Sequence, residues 1–356
     1  MLRRCIFLLF LFVFAACDSG NSPDIDPPDD DRGYHALRQL SPFPVGAAVQ
    51  AAQVQNPDFS DVFNYAFNSL TAEYQMKQNV IWTSRNTYNW APADALVQYG
   101  QDHEMQVHGH ALLWHSSTPL WLENFVGSDE TFEALLLDYI FTTVQRYQGK
   151  VISWDVVNEA FNDGSGTLRE TVFRNRLGPD YLARMFDYAR QADPDVLLFY
   201  NDYNLESDAT KRRAVLAMVD DFQARGIPID GIGLQMHVSY NSPSLKDIKD
   251  TMQAFASRGL KIHLSELDIR ANPGGDLTSL TELRALEQRA RTFDIVDAFL
   301  DLPAANRFAI TWWGLRDPDS WLIGFWGNPE WPLLFDADYA PKPAYFGFVE
   351  ALEGAS

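Results

Sequence analysis

The chain has 356 residues, 46% of them hydrophobic, and a formal net charge of −20. This length suits one large α/β domain or two small ones, and the apolar fraction suffices for a full core. The negative charge argues against a nucleic-acid partner, because phosphate binding needs a basic face. An uncharged substrate suits such a surface better than a polyanion. With Cys5 and Cys17 as its only cysteines, the chain has no disulfide framework.

Residues 1–17 have the pattern of a secretory signal peptide. Arg3 and Arg4 precede the apolar run Ile6–Phe14, and small residues follow it. A membrane-spanning anchor is the alternative, but the run is shorter than the ~20 residues that a span needs. The residues that lead into Cys17 resemble a bacterial lipobox, so we expect lipidation of that cysteine. Plain secretory cleavage is the other possibility.

Residues 18–33 contain six Asp and three Pro and have no sizeable apolar cluster. This composition predicts a disordered, solvated tether. A lipid attaches a folded domain to a membrane surface without making it a membrane protein. We therefore expect export across the inner membrane of a bacterium and attachment at the outer membrane or cell surface, with the lipid as the only membrane contact.

From residue 34 to residue 356, strand-like apolar runs alternate with amphipathic segments typical of helices. Asp208, Ser244 and Thr281 are predicted helix starts, and Gly226 and Gly259 are predicted stops. The predicted helices include residues 128–147, 178–192, 208–226, 244–259 and 280–300. The predicted strands are residues 44–49, 67–72, 105–112, 151–157, 196–201, 231–236, 261–266 and 307–313.

Eight strands with helices between most of them predict an α/β fold, a (β/α)₈ TIM barrel, for residues 34–356. The competing prediction is a doubly wound open sheet. That fold usually has a glycine-rich phosphate turn after its first strand, and the residues after position 49 contain none. We therefore expect one catalytic barrel domain, which we expect to be a monomer.

Seven successive predicted strands end in polar and aromatic side chains where a core would favour aliphatic ones. Barrel enzymes take their catalytic groups from these carboxyl ends. Glu159 and Glu266 each follow an apolar run, where burying a carboxylate is costly. In one cleft they could be the acid and the nucleophile of a glycosidase. The full set is Glu73, Lys77, His110, Trp114, His115, Asn158, Glu159, Asn201, Asp202, Tyr203, Gln235, His237, Glu266, Asp268, Trp312, Trp313, Asp317 and Trp321.

These residue types suit a carbohydrate substrate. Amide, imidazole, amine and carboxylate groups satisfy sugar hydroxyls, and indole rings stack on pyranose faces. The chain has no zinc-type ligand spacing, and His108 and His110 are expected on opposite faces of their strand. It also has no G-x-S-x-G nucleophile motif. We therefore expect neither a metal nor another cofactor.

Residues 44–348 closely resemble glycoside hydrolase family 10, the endo-β-1,4-xylanases. The segments that carry the resemblance are TAEYQMK, HGHALLWHS, WDVVNEAF, NDYN, GIGLQMH, SELDI and TWWGLRDPDSW. The resemblance implies a retaining endo-xylanase that cleaves xylan through a covalent glycosyl-enzyme. Its substrate would be xylan or a related β-1,4-linked polysaccharide.

The resemblance also assigns roles to individual residues. Glu159 would be the general acid/base and would start protonated, and Glu266 would be the ionised nucleophile. His237 would donate to Glu266, and Asp268 would hold His237. Asn158 would bond the 2-hydroxyl of the sugar at the cleavage site.

The resemblance implies a further set of substrate-binding residues. Four would line the pocket of the sugar at the cleavage site, two would shape the next sugar on the non-reducing side, and one would pack under the cleavage site. In that order they are Lys77, His110, Gln235 and Trp313; Glu73 and Trp321; and Trp114, for which plain core packing is the alternative.

Two positions depart from the family pattern. Tyr74 stands where T-P-E-N-x-M-K has an Asn that bonds the second sugar, and a phenol cannot reproduce both amide functions. Ser117 stands where W-H-S-Q has a Gln that helps to exclude a C5 hydroxymethyl group. We hypothesise altered tolerance of sugar side chains or weaker binding at the second subsite, although Tyr74 could be a compensated change.

Two alternatives to a xylanase stay open at this point. One is a family-10-like hydrolase with another β-glycan as its best substrate. The other is a non-catalytic lipoprotein that captures glycans, which would be expected to lack a catalytic Glu. Both carboxylates are present, together with Asn158 and His237.

Overall fold

Eight parallel strands form a closed barrel in the computed structural model, which describes residues 32–354. Each strand pairs with its neighbours in chain order, and the last strand pairs with the first. The strands are β1 (Val45–Val49), β2 (Ser69–Ala72), β3 (Gln106–Gly109), β4 (Ser153–Asn158), β5 (Leu197–Asp202), β6 (Gly231–Leu234), β7 (Lys261–Arg270) and β8 (Arg307–Trp312).

One long helix follows each strand and covers the outside of the barrel. The helices are α1 (Pro57–Ala66), α2 (Ala91–Asp102), α3 (Asp129–Arg146), α4 (Tyr181–Ala192), α5 (Ala209–Arg225), α6 (Leu245–Ala256), α7 (Glu282–Leu300) and α8 (Pro343–Gly354). The predicted (β/α)₈ TIM barrel is therefore confirmed.

Short elements decorate the barrel. Leu113–Trp114 pairs with β4, His237–Ser239 pairs with β7, and Trp82–Ser84 forms a hairpin with Thr87–Tyr88. The short α-helices are Leu37–Leu40, Gln78–Ile81, Leu120–Glu123, Val172–Leu177 and Trp321–Trp326, and the 3₁₀ turns are His115–Ser117, Ala304–Asn306 and Asp317–Asp319.

The predicted helix boundaries agree closely with the structure. The side chains of Asp208, Ser244 and Thr281 accept bonds from the first turns of α5, α6 and α7, so the three predicted starts are N-caps. Gly226 ends α5 in the left-handed conformation that glycine tolerates best. Helix α6 ends earlier than predicted, at Ala256, and Gly259 adopts a positive φ in the turn beyond it.

Two histidines in the interior of the barrel differ from the sequence-based expectation. His108 and His110 both approach Asp155 Oδ2, at 3.0 Å and 2.9 Å, although they were expected on opposite faces of their strand. That expectation was wrong, because residues two apart on a strand share a face. Burial opposes ionisation of Asp155, but the two imidazoles outweigh it and hold the pKa of that carboxyl well below its usual range.

The signal peptide, the lipidation of Cys17 and residues 18–31 of the predicted tether lie outside the described residues. Within the described range, no helix is long and apolar enough to cross a membrane.

Candidate active site

Glu159 and Glu266 both stand at the C-terminal end of the barrel. Glu159 directly follows β4, and Glu266 lies within β7. Glu266 is buried, whereas Glu159 is half-buried. The two carboxyls therefore differ in their access to solvent. Such a difference suits a glycosidase in which one carboxyl exchanges protons with water and the leaving group and the other does not.

The backbone of Glu159 is held in an unusual conformation. Its φ is +57°, in the left-handed region that costs a non-glycine residue about 1–3 kcal/mol. Three hydrogen bonds fix it there. The Glu159 N–H donates to the Asn201 carbonyl at 2.9 Å, its carbonyl accepts from Arg169 Nε at 2.9 Å, and the N–H of Ala160 donates to the Tyr200 hydroxyl at 2.9 Å.

The carboxylate of Glu266 is surrounded by donors. Asn201 Nδ2 donates to Oε1 at 2.7 Å, and His237 Nε2 lies 3.3 Å from Oε2. Burial opposes ionisation of Glu266, but the hydrogen bond from His237, the nearby imidazole of His110 and the bond from Asn201 outweigh it. The net effect lowers the pKa of Glu266, so this carboxyl is ionised at neutral pH.

His237 lies between two carboxylates. Its Nδ1 is 2.8 Å from Asp268 Oδ2, and that oxygen also accepts from Trp321 Nε1 at 3.0 Å. Burial alone would favour the neutral imidazole. Asp268 and Glu266 reverse this and raise the pKa of His237 to about 10, so His237 is a cation that donates to both carboxylates.

Three side-chain amides connect the two carboxyls, and we call Asn158, Asn201 and Gln235 the amide network. Asn201 Nδ2 donates to Asn158 Oδ1 at 2.9 Å, and Gln235 Nε2 lies 3.2 Å from that same oxygen. Gln235 Nε2 also donates to Glu159 Oε1 at 3.1 Å, and Asn158 Nδ2 lies 3.3 Å from it. All three amides are buried, so each has few alternative partners.

Glu73 and Lys77 follow β2 and face the same carboxyls. Burial raises the pKa of Glu73, although a bond from Gln50 Nε2 at 2.9 Å and the charge of Lys77 oppose the shift. Burial also lowers the pKa of Lys77, against the opposing charges of Glu266, Glu73 and Glu159. The structure thus brings both predicted sugar-binding residues to the site.

Aromatic rings complete the wall of the cleft. The Lys77 ammonium lies 4.7 Å from the Trp114 ring centroid, and the His110 ring lies 5.3 Å from the Trp313 ring. Trp321 packs 5.0 Å from His237. Trp114 is half-buried and lines a small cavity with Asn158 and Glu159, and its place under the cleavage site stays a prediction.

The two departures from the family pattern lie in different environments. Tyr74 is 53% exposed, and the Lys77 ammonium sits 5.1 Å from its ring centroid. Ser117 is buried, and its hydroxyl lies 3.5 Å from the Trp114 carbonyl oxygen.

Sequence reasoning placed Asn201 at a strand end but gave it no role, and it gave no role to Arg169 or Tyr200. Asn201 bonds Glu266 and Asn158, and its Oδ1 accepts from the Ser265 hydroxyl at 2.6 Å. Its position in NDYN beside the other strand ends was the available sign. No group of three or more metal-ligating side chains that could hold a metal occurs among residues 32–354.

Comparison with known proteins agrees with this geometry. The model of glycosyl hydrolase family 10 matches residues 36–351. The chain belongs to glycosyl hydrolase family 10. The family predicted from the sequence motifs is therefore confirmed.

Two relatives show how far the similarity extends. The family-10 chain is 40% identical over 349 residues to endo-β-1,4-xylanase Xyn10C of Cellvibrio japonicus, covering 89% of this chain and 58% of that protein. It is 39% identical over 295 residues to endo-1,4-β-xylanase B of Thermotoga neapolitana, covering 83% of each. The chain therefore spans less than two thirds of the first relative and most of the second.

Solved family-10 structures have the same fold. A mutant of xylanase 10C from Cellvibrio japonicus, in complex with xylopentaose, superposes with a TM-score of 0.88 at 39% identity, covering 91% of this chain and 70% of that one. Native xylanase 10B from Thermotoga maritima superposes with a TM-score of 0.84 at 36% identity, covering 90% of this chain and 98% of that one.

Proposed function

We propose that this family-10 chain is a retaining endo-1,4-β-xylanase that hydrolyses internal bonds of xylan by double displacement. The observation that carries the proposal is the pairing of a buried, ionised Glu266 with a half-buried Glu159 across the amide network. The relatives named as xylanases, and the xylopentaose bound to one similar structure, support xylan as the substrate.

Glu266 acts as the nucleophile. It attacks the anomeric carbon, and the bond to the leaving sugar breaks as a glycosyl-enzyme ester forms. The His237 cation and Asn201 keep the carboxylate ionised and fix its orientation, and Asp268 holds His237 from the other side. Asp268 is a positioning residue in this scheme, because it acts through His237.

Glu159 acts as the general acid and then as the general base. It protonates the oxygen of the leaving sugar in the first step and takes a proton from the attacking water in the second. Asn158 bonds the 2-hydroxyl of the sugar at the cleavage site, a contact that strengthens in the transition state. Gln235 holds Glu159 Oε1 and faces the same sugar.

The remaining predicted residues bind substrate. Lys77, His110 and Trp313 line the pocket of the sugar at the cleavage site. Trp114 packs beneath the bond that is broken, and Glu73 and Trp321 shape the next sugar on the non-reducing side. Their convergence on Glu266 and His237 supports this assignment.

The enzyme is exported and anchored by a lipid on Cys17, with residues 18–33 as its tether, and it acts as a monomer at the outer membrane or cell surface. The N-terminal sequence pattern supports this part of the proposal. Labelling of cells with a fatty-acid analogue tests it: wild-type chain is expected to take up the label and Cys17→Ser is not. Label retained by the variant would contradict lipidation at Cys17.

Reducing-sugar release from arabinoxylan, glucuronoxylan and β-glucan tests the activity. Glu266→Gln is expected to lower kcat on xylan at least about 1,000-fold, as loss of a nucleophile does. Glu287→Gln, the same chemical change on the outer face of α7, is the matched control and should keep full activity. Proton NMR of the first product should show retained β configuration.

The result can also redirect the proposal. Preference for β-glucan over both xylans would favour another β-glycan, with exposed Tyr74 as the first position to revert to Asn. No cleavage of any of the three glycans by the folded chain would favour glycan capture without catalysis.

A further inference from the structure

We call the three hydrogen bonds that fix the backbone at Glu159 the backbone clamp. A chain of contacts connects this clamp to a buried ion pair between Asp202 and Lys211. Two of the three hydrogen bonds of the clamp involve Tyr200, as the acceptor, and Arg169, as the donor. Both residues lie outside the predicted site. Because Asn201 points to Glu266, its strand neighbours Tyr200 and Asp202 point to the opposite side, towards the helices.

Tyr200 connects this clamp to Asp202. Its hydroxyl accepts from the N–H of Ala160 at 2.9 Å and donates to Asp202 Oδ2 at 2.5 Å. Both of its hydrogen-bonding functions are therefore used, and Tyr200 and Asp202 are both fully buried. A buried hydroxyl between two fixed partners has no alternative geometry that satisfies both.

Lys211 forms ion pairs at the end of this chain of contacts, away from Glu159. Its fully buried ammonium lies 2.6 Å from Asp202 Oδ1 and 3.1 Å from Asp163 Oδ1, and Asp163 belongs to the loop that follows Glu159. Burial raises the pKa of Asp202 to about 7, with the charge of Lys211 and the bond from Tyr200 opposing the shift. The Lys211 cation therefore favours the carboxylate form of Asp202, which accepts the hydrogen bond from Tyr200.

The hydrogen bond from Arg169 to the Glu159 carbonyl is also connected to the Lys211 ammonium, through Tyr203. Arg169 Nε donates to the Glu159 carbonyl, and an Arg169 Nη donates to the Tyr203 hydroxyl at 2.6 Å. The Lys211 ammonium sits 3.6 Å from the centroid of the Tyr203 ring, a cation–π contact.

We propose that Tyr200, Asp202 and Lys211 are positioning residues that fix the carboxyl of Glu159 for proton transfer. The inference rests on the proposed function and adds to it a group on the helix side of the barrel that touches no substrate. Loss of a link frees the left-handed backbone at Glu159 to relax and moves its carboxyl from the leaving oxygen. The side chains of Asn201 and His237 hold Glu266, whereas the Tyr200 hydroxyl bonds Ala160 and Asp202, so attack of Glu266 on the sugar should be spared.

Leaving-group dependence separates these two effects. A dinitrophenyl β-xylobioside needs no proton on its leaving group, whereas a phenyl β-xylobioside does. For Tyr200→Phe we expect kcat/KM on the phenyl substrate to fall about tenfold or more, because misplacing a catalytic group by about 1 Å can cost up to 100-fold. We expect kcat/KM on the dinitrophenyl substrate to change less than about twofold, since glycosylation of that substrate bypasses the acid.

The control is Tyr139→Phe, which removes a buried hydroxyl from α3, where the ring stacks on Trp82. It should leave both substrates unaffected. Lys211→Met should reproduce the selective loss, and Lys211→Arg, which keeps the cation, should restore part of the phenyl activity. A burst titration with the dinitrophenyl substrate gives the fraction of folded, active enzyme for every variant.

Equal losses on the two substrates, after correction for active fraction, would overturn the inference, because a purely structural role lowers both. Unchanged kcat/KM on the phenyl substrate in Tyr200→Phe and Lys211→Met would overturn it as well. If the wild-type chain cleaved neither aryl xylobioside nor xylan, the proposed function itself would fail, which is a different outcome from either of these.

Discussion

At the scale of single residues, the ionisation states in the site depend on interactions between neighbouring charged side chains. Glu266, His237 and Asp268 form a row of carboxylate, imidazolium and carboxylate in which both carboxylates are buried. One cation cannot neutralise two anions, so Trp321 Nε1 and Asn201 Nδ2 supply the additional donors. The row keeps Glu266 ionised in surroundings that would otherwise favour the neutral acid.

Replacement of His237 tests this balance. In His237→Asn, loss of the cation should raise the pKa of Glu266, because a nearby opposite charge typically lowers a carboxyl pKa by about 1–3 units. Attack requires ionised Glu266, so the acid limb of the kcat/KM profile should move to higher pH by about one unit or more. A dinitrophenyl β-xylobioside isolates this limb. His103→Asn, at an exposed imidazole, should leave the profile in place, and an unmoved limb in His237→Asn would contradict the charge balance.

At the scale of elements, strands β5 and β6 approach closely behind Glu266. A Cβ on Gly233 would lie 2.1 Å from Asn201 Oδ1 and 2.8 Å from its Cγ. No real contact is that short, so any side chain at Gly233 must displace the amide that holds Glu266. The close approach of two strands thus sets the orientation of the nucleophile.

The variant Gly233→Ala should therefore lose activity beyond its loss of stability. We expect kcat on xylan to fall more than about tenfold, because small displacements in a preorganised site are costly. Kinetics at a temperature where circular dichroism shows a folded protein would measure it. Gly354→Ala, where an added methyl group meets no atom within 4 Å, should behave as wild type. Full activity in folded Gly233→Ala would show that Asn201 does not orient Glu266.

The elements also show what the sequence could predict. All eight strands and helices α3 to α7 were predictable, because their apolar periodicity is clear. Helices α1, α2 and α8 were not singled out. Each has Pro in its first turn, where it fits a helix well but reads as a break in a sequence. The strand-end residues followed from the barrel topology, whereas the bonds of Tyr200 and Lys211 join distant segments that no local pattern connects.

At the scale of the whole molecule, the net charge of −20 acts on any charged substrate. Glucuronoxylan is an anionic polymer and arabinoxylan is uncharged, so only the first is repelled at long range. The Debye length, beyond which the interaction between two exposed charges is largely screened, is about 30 Å at 0.01 M salt and about 10 Å at 0.1 M. The surface charge should therefore affect the encounter with glucuronoxylan and leave the chemical step unchanged.

Salt dependence checks this. Raising the salt concentration from 0.01 M to 0.1 M should lower KM for glucuronoxylan several-fold, with kcat nearly constant. Arabinoxylan under the same conditions is the internal control, and its KM should not change. Initial rates of reducing-sugar release give both constants. Parallel changes for the two polymers would point to a salt effect on the protein rather than on the encounter.

The amide network has a consequence for how this protein can evolve. Asn158, Asn201 and Gln235 share acceptors and connect both carboxyls, so the effects of substituting them should be strongly non-additive. Mutational paths through this set would be epistatic, since each single step leaves a buried partner unsatisfied. Divergence towards other glycans is therefore open mainly at exposed positions such as Tyr74, which lies outside the amide network.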